Sequence, residues 1–200
     1  MLTAQAEGYE RNLDMAEDYL LERGISLQVA QMFRLGYDKD GDYKGRLSIP
    51  YWTPAGVVNL KFRCMKAHDC KASNCPKYLF VPALGQHLYN AQVLMSACDT
   101  VVVTEGELDA ICVQAYCAIP AVAYPGTESW KAHHHWRYCF EGIAEVVVVA
   151  DGDEAGQGAA KKVADSIGMV ARVVNLPSGF DSNQFIQERG ANAFAEFIQH

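Results

Sequence analysis

The sequence predicts an α/β protein: a parallel sheet with flanking helices, preceded by a smaller α+β N-terminal subdomain. Three observations carry this expectation. From about Asp99 onward, short β-branched runs alternate strictly with helix-length stretches, in four units of roughly 25 residues each. Two of these runs, Val101–Val103 and Val146–Val149, are continuously apolar, as strands buried on both faces are. Before Asp99 the texture differs: two helical stretches lead into a pair of alternating strands joined by a tight turn, the pattern of an antiparallel hairpin. The boundary is therefore drawn between residues 95 and 96, giving an N-terminal unit over 1–95 and a C-terminal unit over 96–200.

In the first unit, Leu13, Ala16 and Leu20 recur at helical spacing within Tyr9–Arg23, and Gly24 follows as a stop. Ser26 is placed to cap a second helix through Phe33, which ends by Gly36. Leu47, Ile49 and Tyr51 then alternate with Arg46, Ser48 and Pro50. Thr53-Pro54-Ala55-Gly56 reads as a turn, and Val58, Leu60 and Phe62 alternate with Asn59, Lys61 and Arg63. A period of two sets Lys61 and Arg63 on one face, with Arg46 able to join them across the pair. Such a face is either an ordinary solvated polar surface or one that contacts phosphates. Leu79–Val81 reads as a short strand. In the second unit the expected strands are Val101–Thr104, Pro120–Tyr124, Val146–Ala150 and Ala171–Leu176. The expected helices run near Leu108–Tyr116, Trp130–Phe140 and Ala155–Ile167, with short helices after Asp181.

Composition bounds the function. Half of the 200 residues are apolar and a fifth are charged, as in globular chains. No apolar run is long enough to cross a bilayer and no signal region opens the sequence, so a soluble cytoplasmic protein is expected, without a membrane partner. Seven cysteines without a regular framework suggest reduced thiols. A net charge of −7 argues against a nucleic-acid partner only weakly, because electrostatic footprints are local and metal-holding acids inflate the negative count. Cys64, His68, Cys70 and Cys75 are spaced C-x3-H-x-C-x4-C, which matches none of the common structural zinc patterns, so zinc is not expected there. His133, His134 and His135 are consecutive on an expected helix and do not share a face. Trp130 and Trp136 read as packing residues, and Cys98, Cys112, Cys117 and Cys139 as small core residues.

The chemistry lies at the strand ends. In an open parallel sheet every strand's carboxyl end points to one edge, where ligands bind. Glu105 ends the first strand, Gly126 and Thr127 follow the second, Asp151 and Asp153 end the third, and Asp181 follows the fourth. Carboxylates gathered on one rim repel one another and take raised pKa values, and a hard divalent cation with oxygen ligands removes that penalty. Read as an EF-hand loop from Asp151 the segment fails, because Ala155 and Lys162 stand where oxygen ligands belong. Neither a dinucleotide-binding glycine fingerprint nor a P-loop is present.

Strand-Glu105-Gly106 followed by strand-Asp151-Gly152-Asp153 resembles the Toprim domain of topoisomerases, primases and related nucleases, over Val101 to Asp181. Glu105-Gly-Glu-Leu-Asp109, Pro125-Gly-Thr127 and Leu176-Pro-Ser-Gly-Phe-Asp181 are similar to primases in particular. So are Tyr19 through Tyr37, Gly45-Arg46 with its hairpin, and Pro76-Lys77-Tyr78-Leu79, in the order of a DnaG-type or phage-type DNA primase core. The resemblance implies a Toprim-type sheet and DNA-templated synthesis of short RNA primers from NTPs in replication. Glu105, Asp151 and Asp153 would be catalytic, and with Asp181 would hold two Mg2+ or Mn2+ ions. Arg46, Lys61, Arg63, Lys77, Gly126 and Thr127 would bind nucleotide and single-stranded DNA template, and Asp109 would be either an acid behind the metal ligands or a helix N-terminal charge. It further implies a replicative helicase and a separate zinc-binding template reader as partners, and the host cytoplasm if the chain is phage-encoded. Ser182-Asn183-Gln184 departs from the family, which often carries a second acid there. The rival readings are a Toprim nuclease using the same metals on water, and a non-catalytic DNA-binding recombination mediator.

Overall fold

The structure, a computed structural model, describes residues 1–199 and all their side chains except that of Thr127. Two compact units divide the chain, one from Met1 to His87 and one from Leu88 onward.

The first unit comprises α1 (Leu2–Glu10), a 3-10 turn (Leu13–Ala16), α2 (Glu17–Glu22), α3 (Leu27–Met32), β1 (Gly36–Asp38), β2 (Arg46–Thr53), β3 (Gly56–Cys64) and β4 (Tyr78–Phe80). The single helix expected over Tyr9–Arg23 is thus three pieces. Asn12 breaks it: its side-chain amide donates to the Gly8 carbonyl at 3.2 Å and its backbone leaves the helical region, the local competition that asparagine offers a helix. Ser26 caps α3 as expected, its hydroxyl accepting from the Val29 N–H at 3.2 Å. The strands form an antiparallel sheet in the order β1-β2-β3-β4. Leu47 pairs with Arg63 and Ile49 with Lys61, while Arg46 pairs with Cys64. Directly paired residues share a face. Lys61 and Arg63 therefore lie with Leu47, Ile49 and Tyr51, and Arg46 lies on the opposite face; the expected grouping of all three cations does not form, because the register falls one residue away from it. Neither face is a solvated polar surface. Lys61 and Arg63 are each 5% exposed, and on the other side Phe62 is fully buried against Ala6, Val57 and Leu60. Phe62 meets Tyr9 edge-on at 5.5 Å and stacks on Tyr43 at 3.8 Å.

The second unit comprises a 3-10 turn (Ala91–Met95), β5 (Thr100–Thr104), α4 (Glu107–Cys117), β6 (Ala121–Ala123), α5 (Thr127–Ala132), a 3-10 stretch (His134–Phe140), β7 (Glu145–Ala150), α6 (Glu154–Ile167), β8 (Ala171–Asn175), α7 (Ser182–Arg189) and α8 (Ala191–Phe197). Its sheet is parallel throughout in the order β6-β5-β7-β8. Val101, Val103, Val146 and Val148 pack on Trp130, Trp136 and Phe140 in one core. Burying apolar side chains of this size contributes about 1.5–3 kcal/mol apiece, and the two tryptophans take the packing role read from the sequence. Leu88 is buried in the same core, with Ala91, Val93 and Leu94 packed against it. Tyr89 bridges to Ala123 through two backbone hydrogen bonds. Residues 88–95 accordingly belong with the second unit rather than the first. The change in sequence texture near residue 95 marks where regular strands begin, not where packing does. Among the described residues no helix is long and apolar enough to cross a membrane.

Candidate active site

The chain leaves β5 for β6 on one side and then returns to β7 on the other. In such sheets the crevice opens outside the carboxyl ends of the two strands where the direction reverses, here β5 and β7. Glu105 and Asp151 are the first residues beyond those two ends, and both are half-buried.

Two titrating neighbours report how the acids converge. Tyr124, just after β6, is buried, and its phenol pKa is pushed up by burial first and then by the negative charges of Glu105 and Asp151. Asp109, in the first turn of α4, has its carboxyl pKa pushed well above the usual range by burial, then by Asp181 and Asp151, against the opposing effect of a hydrogen bond from the Asn183 N–H. Glu105 and Asp151 thus share one buried neighbour, and Asp151 and Asp181 another.

Close backbone approaches fix this arrangement. The Gly152 N–H donates to the Phe180 carbonyl at 2.8 Å, tying the loop after β7 to the segment that carries Asp181. A Cβ at Gly152 would collide with the Pro177 carbonyl, and one at Gly106 with the Asp109 carboxylate. Both turns need glycine for space. Asp153 is exposed and caps α6, its Oδ1 accepting from the Gly156 N–H at 2.7 Å. Asp181 caps α7 in a reciprocal box: its Oδ1 accepts from the Gln184 N–H at 2.7 Å and the Gln184 side chain accepts from the Asp181 N–H at 3.2 Å. The Asn183 N–H donates to Asp109 Oδ1 at 2.9 Å, and its Nδ2 donates to Cys112 Sγ at 2.9 Å. The Ser182-Asn183-Gln184 stretch is therefore employed in capping α7 and anchoring Asp109. Gly126 takes a left-handed φ of 101° ahead of α5; the Thr127 side chain lies outside the described residues.

The basic residues of the first unit have fixed partners. Arg63 donates to the phenol oxygens of Tyr19 and Tyr78. Lys61 Nζ stands 4.2 Å above the Tyr78 ring and 5.3 Å from that of Phe80, and Lys77 Nζ is 5.8 Å from the Tyr78 ring. Arg46 donates from Nη1 to the Pro76 carbonyl at 2.8 Å and from Nη2 to Cys75 Sγ at 3.4 Å. A cavity of about 640 Å³ opens beside these residues; Arg23, Arg63, Lys66, Lys71 and Lys77 line it, with Asp69 as the one acid. In its wall one ligand atom from each of Cys64, His68, Cys70 and Cys75 lies within 4.8 Å of the others. Among the described residues these four are near enough to one another to share one metal ion, in the loop whose spacing matches no common zinc pattern.

A family model described as Toprim-like matches residues 102–186. The gene 57 protein of Mycobacterium phage D29 is 37% identical over 161 residues, covering 78% of this chain and 99% of its own length. The DNA primase of Clostridium acetobutylicum is 27% identical over 243 aligned residues, covering 98% of this chain. A DNA primase domain from Pseudomonas aeruginosa superposes with a TM-score of 0.81 at 24% identity, covering 100% of this chain and 77% of that one. The chain belongs to the DnaG-type primase family. It is a primase-type catalytic core with a Toprim domain, and it spans 39% of the Clostridium primase's length while matching nearly all of the phage protein's. Toprim-type primase domains depend on divalent metal, and the oxygen-only donors on this rim are the set that hard divalent ions take.

Sequence reasoning missed Tyr124 and Asn183. An aromatic after an edge strand and an amide inside a helix carry no distinguishing spacing, and the departure at residues 182–184 was the one available pointer to Asn183.

Proposed function

We propose that the chain is the polymerising core of a primase, joining ribonucleotides into short RNA primers on a single-stranded DNA template. The observation that supports this most is the crowding of Glu105, Asp151 and Asp181 at the switch point of the parallel sheet, in a chain whose first unit also aligns with primases over nearly its full length. The rim fits divalent ions: its donors are carboxylates, and Asp109 behind them has its carboxyl pushed up by burial first and then by the charges of Asp181 and Asp151. Glu105, Asp151, Asp153 and Asp181 would hold two Mg2+ or Mn2+ ions. Bound there, such ions lower the pKa of an attacking hydroxyl and neutralise charge on the triphosphate.

The protein's own residues position the reactants. Asp153 and Asp181 each spend one carboxylate oxygen on a helix cap, which holds the other oxygen in a fixed direction. Asp109 is held behind these acids by the Asn183 N–H, which donates to its Oδ1 at 2.9 Å. By the primase resemblance Arg46, Lys61, Arg63 and Lys77 would bind nucleotide and template phosphates; Lys61 and Arg63 are buried and engaged by aromatic partners, so they would have to be uncovered to do so. Gly126 and Thr127 give the nucleotide a close backbone approach at the end of β6. A helicase and a separate zinc-binding template reader would complete the priming machinery.

Primer synthesis on single-stranded DNA, supplied with NTPs and Mg2+, tests the proposal, with Glu105→Gln as the control. An undiminished mutant would sink the assignment. Metal-dependent strand scission without nucleotide incorporation would favour a nuclease instead.

A further inference from the structure

We propose that Cys64, His68, Cys70 and Cys75 bind one structural zinc ion, which locks the segment between β3 and β4 into a basic finger on the wall of the first unit's cavity. The distances between ligand atoms carry this. Cys64 Sγ lies 3.7 Å from Cys75 Sγ and 3.7 Å from His68 Nε2. In a zinc tetrahedron, bonds of about 2.3 Å to sulfur and about 2.0–2.1 Å to nitrogen set ligand atoms about 3.5–3.8 Å apart. A disulfide would need about 2.05 Å, and all seven cysteines are free. Three thiolates and one imidazole form a closed structural set with no position left for water, and soft sulfur ligands select zinc over the hard ions of the acidic rim.

The chain around the four ligands is shaped to hold them. Asp69 Oδ1 accepts from the N–H groups of Lys71 at 2.8 Å and Ala72 at 3.1 Å, opening a tight helical turn. Asn74, at a left-handed φ of 47°, closes the turn, and the Cys75 N–H returns to the Cys70 carbonyl at 2.9 Å. The Cys64 N–H bonds to the Lys77 carbonyl at 2.9 Å, clamping the two ends of the segment together. Three thiolates and a neutral imidazole leave the zinc complex with one net negative charge, and the Arg46 guanidinium 3.4 Å from Cys75 Sγ offsets it, as outer partners of metal ligands do. Residues 66–69 and 71–74 are exposed, so no apolar core anchors them. Fixing each backbone costs about 1–2 kcal/mol, and a bound ion supplies what packing does not.

This site is separate from the zinc-binding template reader of the primase family, because it joins two strands of the core's own sheet. Its consequence is that Lys66, Lys71 and Lys77 are held beside Arg23 and Arg63 around one cavity, a surface suited to the phosphodiester backbone of single-stranded nucleic acid. That last step rests on the primase reading; the zinc does not.

Metal analysis of the full chain, purified without added chelator, should find one zinc per molecule. Cys75→Ser and His68→Ala should lose it, while Cys98→Ser and Cys139→Ser keep it. Cobalt exchanged into the protein should show the intense visible bands of tetrahedral thiolate coordination. Should a variant fold poorly, stripping zinc from the unmutated protein with an organomercurial and a chelator should abolish hydrogen-exchange protection over residues 64–77 while the parallel sheet stays protected. Substoichiometric zinc, zinc retained after Cys75→Ser, an octahedral cobalt spectrum, or unchanged protection after stripping would each overturn the proposal. None of these readouts depends on primer synthesis, so failure of that activity leaves the zinc site standing and removes only the nucleic-acid step.

Discussion

The carboxylate rim draws its residues from Glu105 to Asp181, across 77 positions, whereas the thiol cluster draws its four from Cys64 to Cys75, within 12. The rim is assembled by topology. Each acid stands just beyond a strand or at a helix cap, and the parallel sheet delivers all of them to one edge. The cluster is assembled by turns: an aspartate-capped loop and a left-handed asparagine fold a short segment back on itself. The cluster's three sulfurs and one nitrogen lie within 4.8 Å of one another.

Substitutions can break this contrast. The largest expected effect is on the rim: Glu105→Gln or Asp151→Asn should cut primer synthesis roughly 10²- to 10³-fold, the scale of losing one preorganised charge partner, with little change in melting temperature. Comparable activity in either mutant would show that the rim does not carry the chemistry. Gly152→Ala comes next. Its new Cβ meets backbone at Pro177, so calorimetry should find a loss of about 1–3 kcal/mol. Gly106→Ala should cost less, because the obstacle there is the movable end of the Asp109 side chain.

Asp181 separates capping from metal binding. Asp181→Ala removes the α7 cap and should lower stability by about 1 kcal/mol, whereas Asp181→Asn preserves it. Both should impair primer synthesis, and equal melting temperatures for the two would refute the capping role. Asp109 gives a pH signature in metal-free protein. Its folded pKa is raised, so its contribution to stability is complete below the ordinary value of 3.8 and lost as pH rises through the raised value. Asp109→Asn should therefore leave acid melts unchanged and stabilise the protein increasingly toward pH 8; parallel curves would contradict this. The smallest effect belongs to the finger. Lys66→Ala or Lys71→Ala should each reduce the salt slope of single-strand binding by about 0.7.

The same contrast explains what the sequence allowed. Period-two runs, continuous valines and strand-end acids announced the parallel sheet and its rim, because a strand's direction fixes where its last residue goes. The hairpin's existence was equally legible, but its register was not, and one residue of register moved Arg46 to the far face. The break at Asn12 escaped notice because a side-chain hydrogen bond interrupted an otherwise helical pattern. The four thiol-cluster residues stand out in the sequence, but their C-x3-H-x-C-x4-C spacing argues against zinc because the ligands are gathered by an Asp69 turn rather than by paired knuckles.

Three helices begin on the rim. Gly106, Asp153 and Asp181 are the residues from which α4, α6 and α7 start, so the amino ends of all three point toward the carboxylates. Each end acts as roughly half a positive charge, falling off within the first turn. Together they supply a standing positive field beneath four negative side chains, produced by the backbone and indifferent to pH. The helix ends temper the charge of the acids beside them without cancelling it: Asp109, inside the first turn of α4, still has its carboxyl pushed up by burial and then by Asp181 and Asp151.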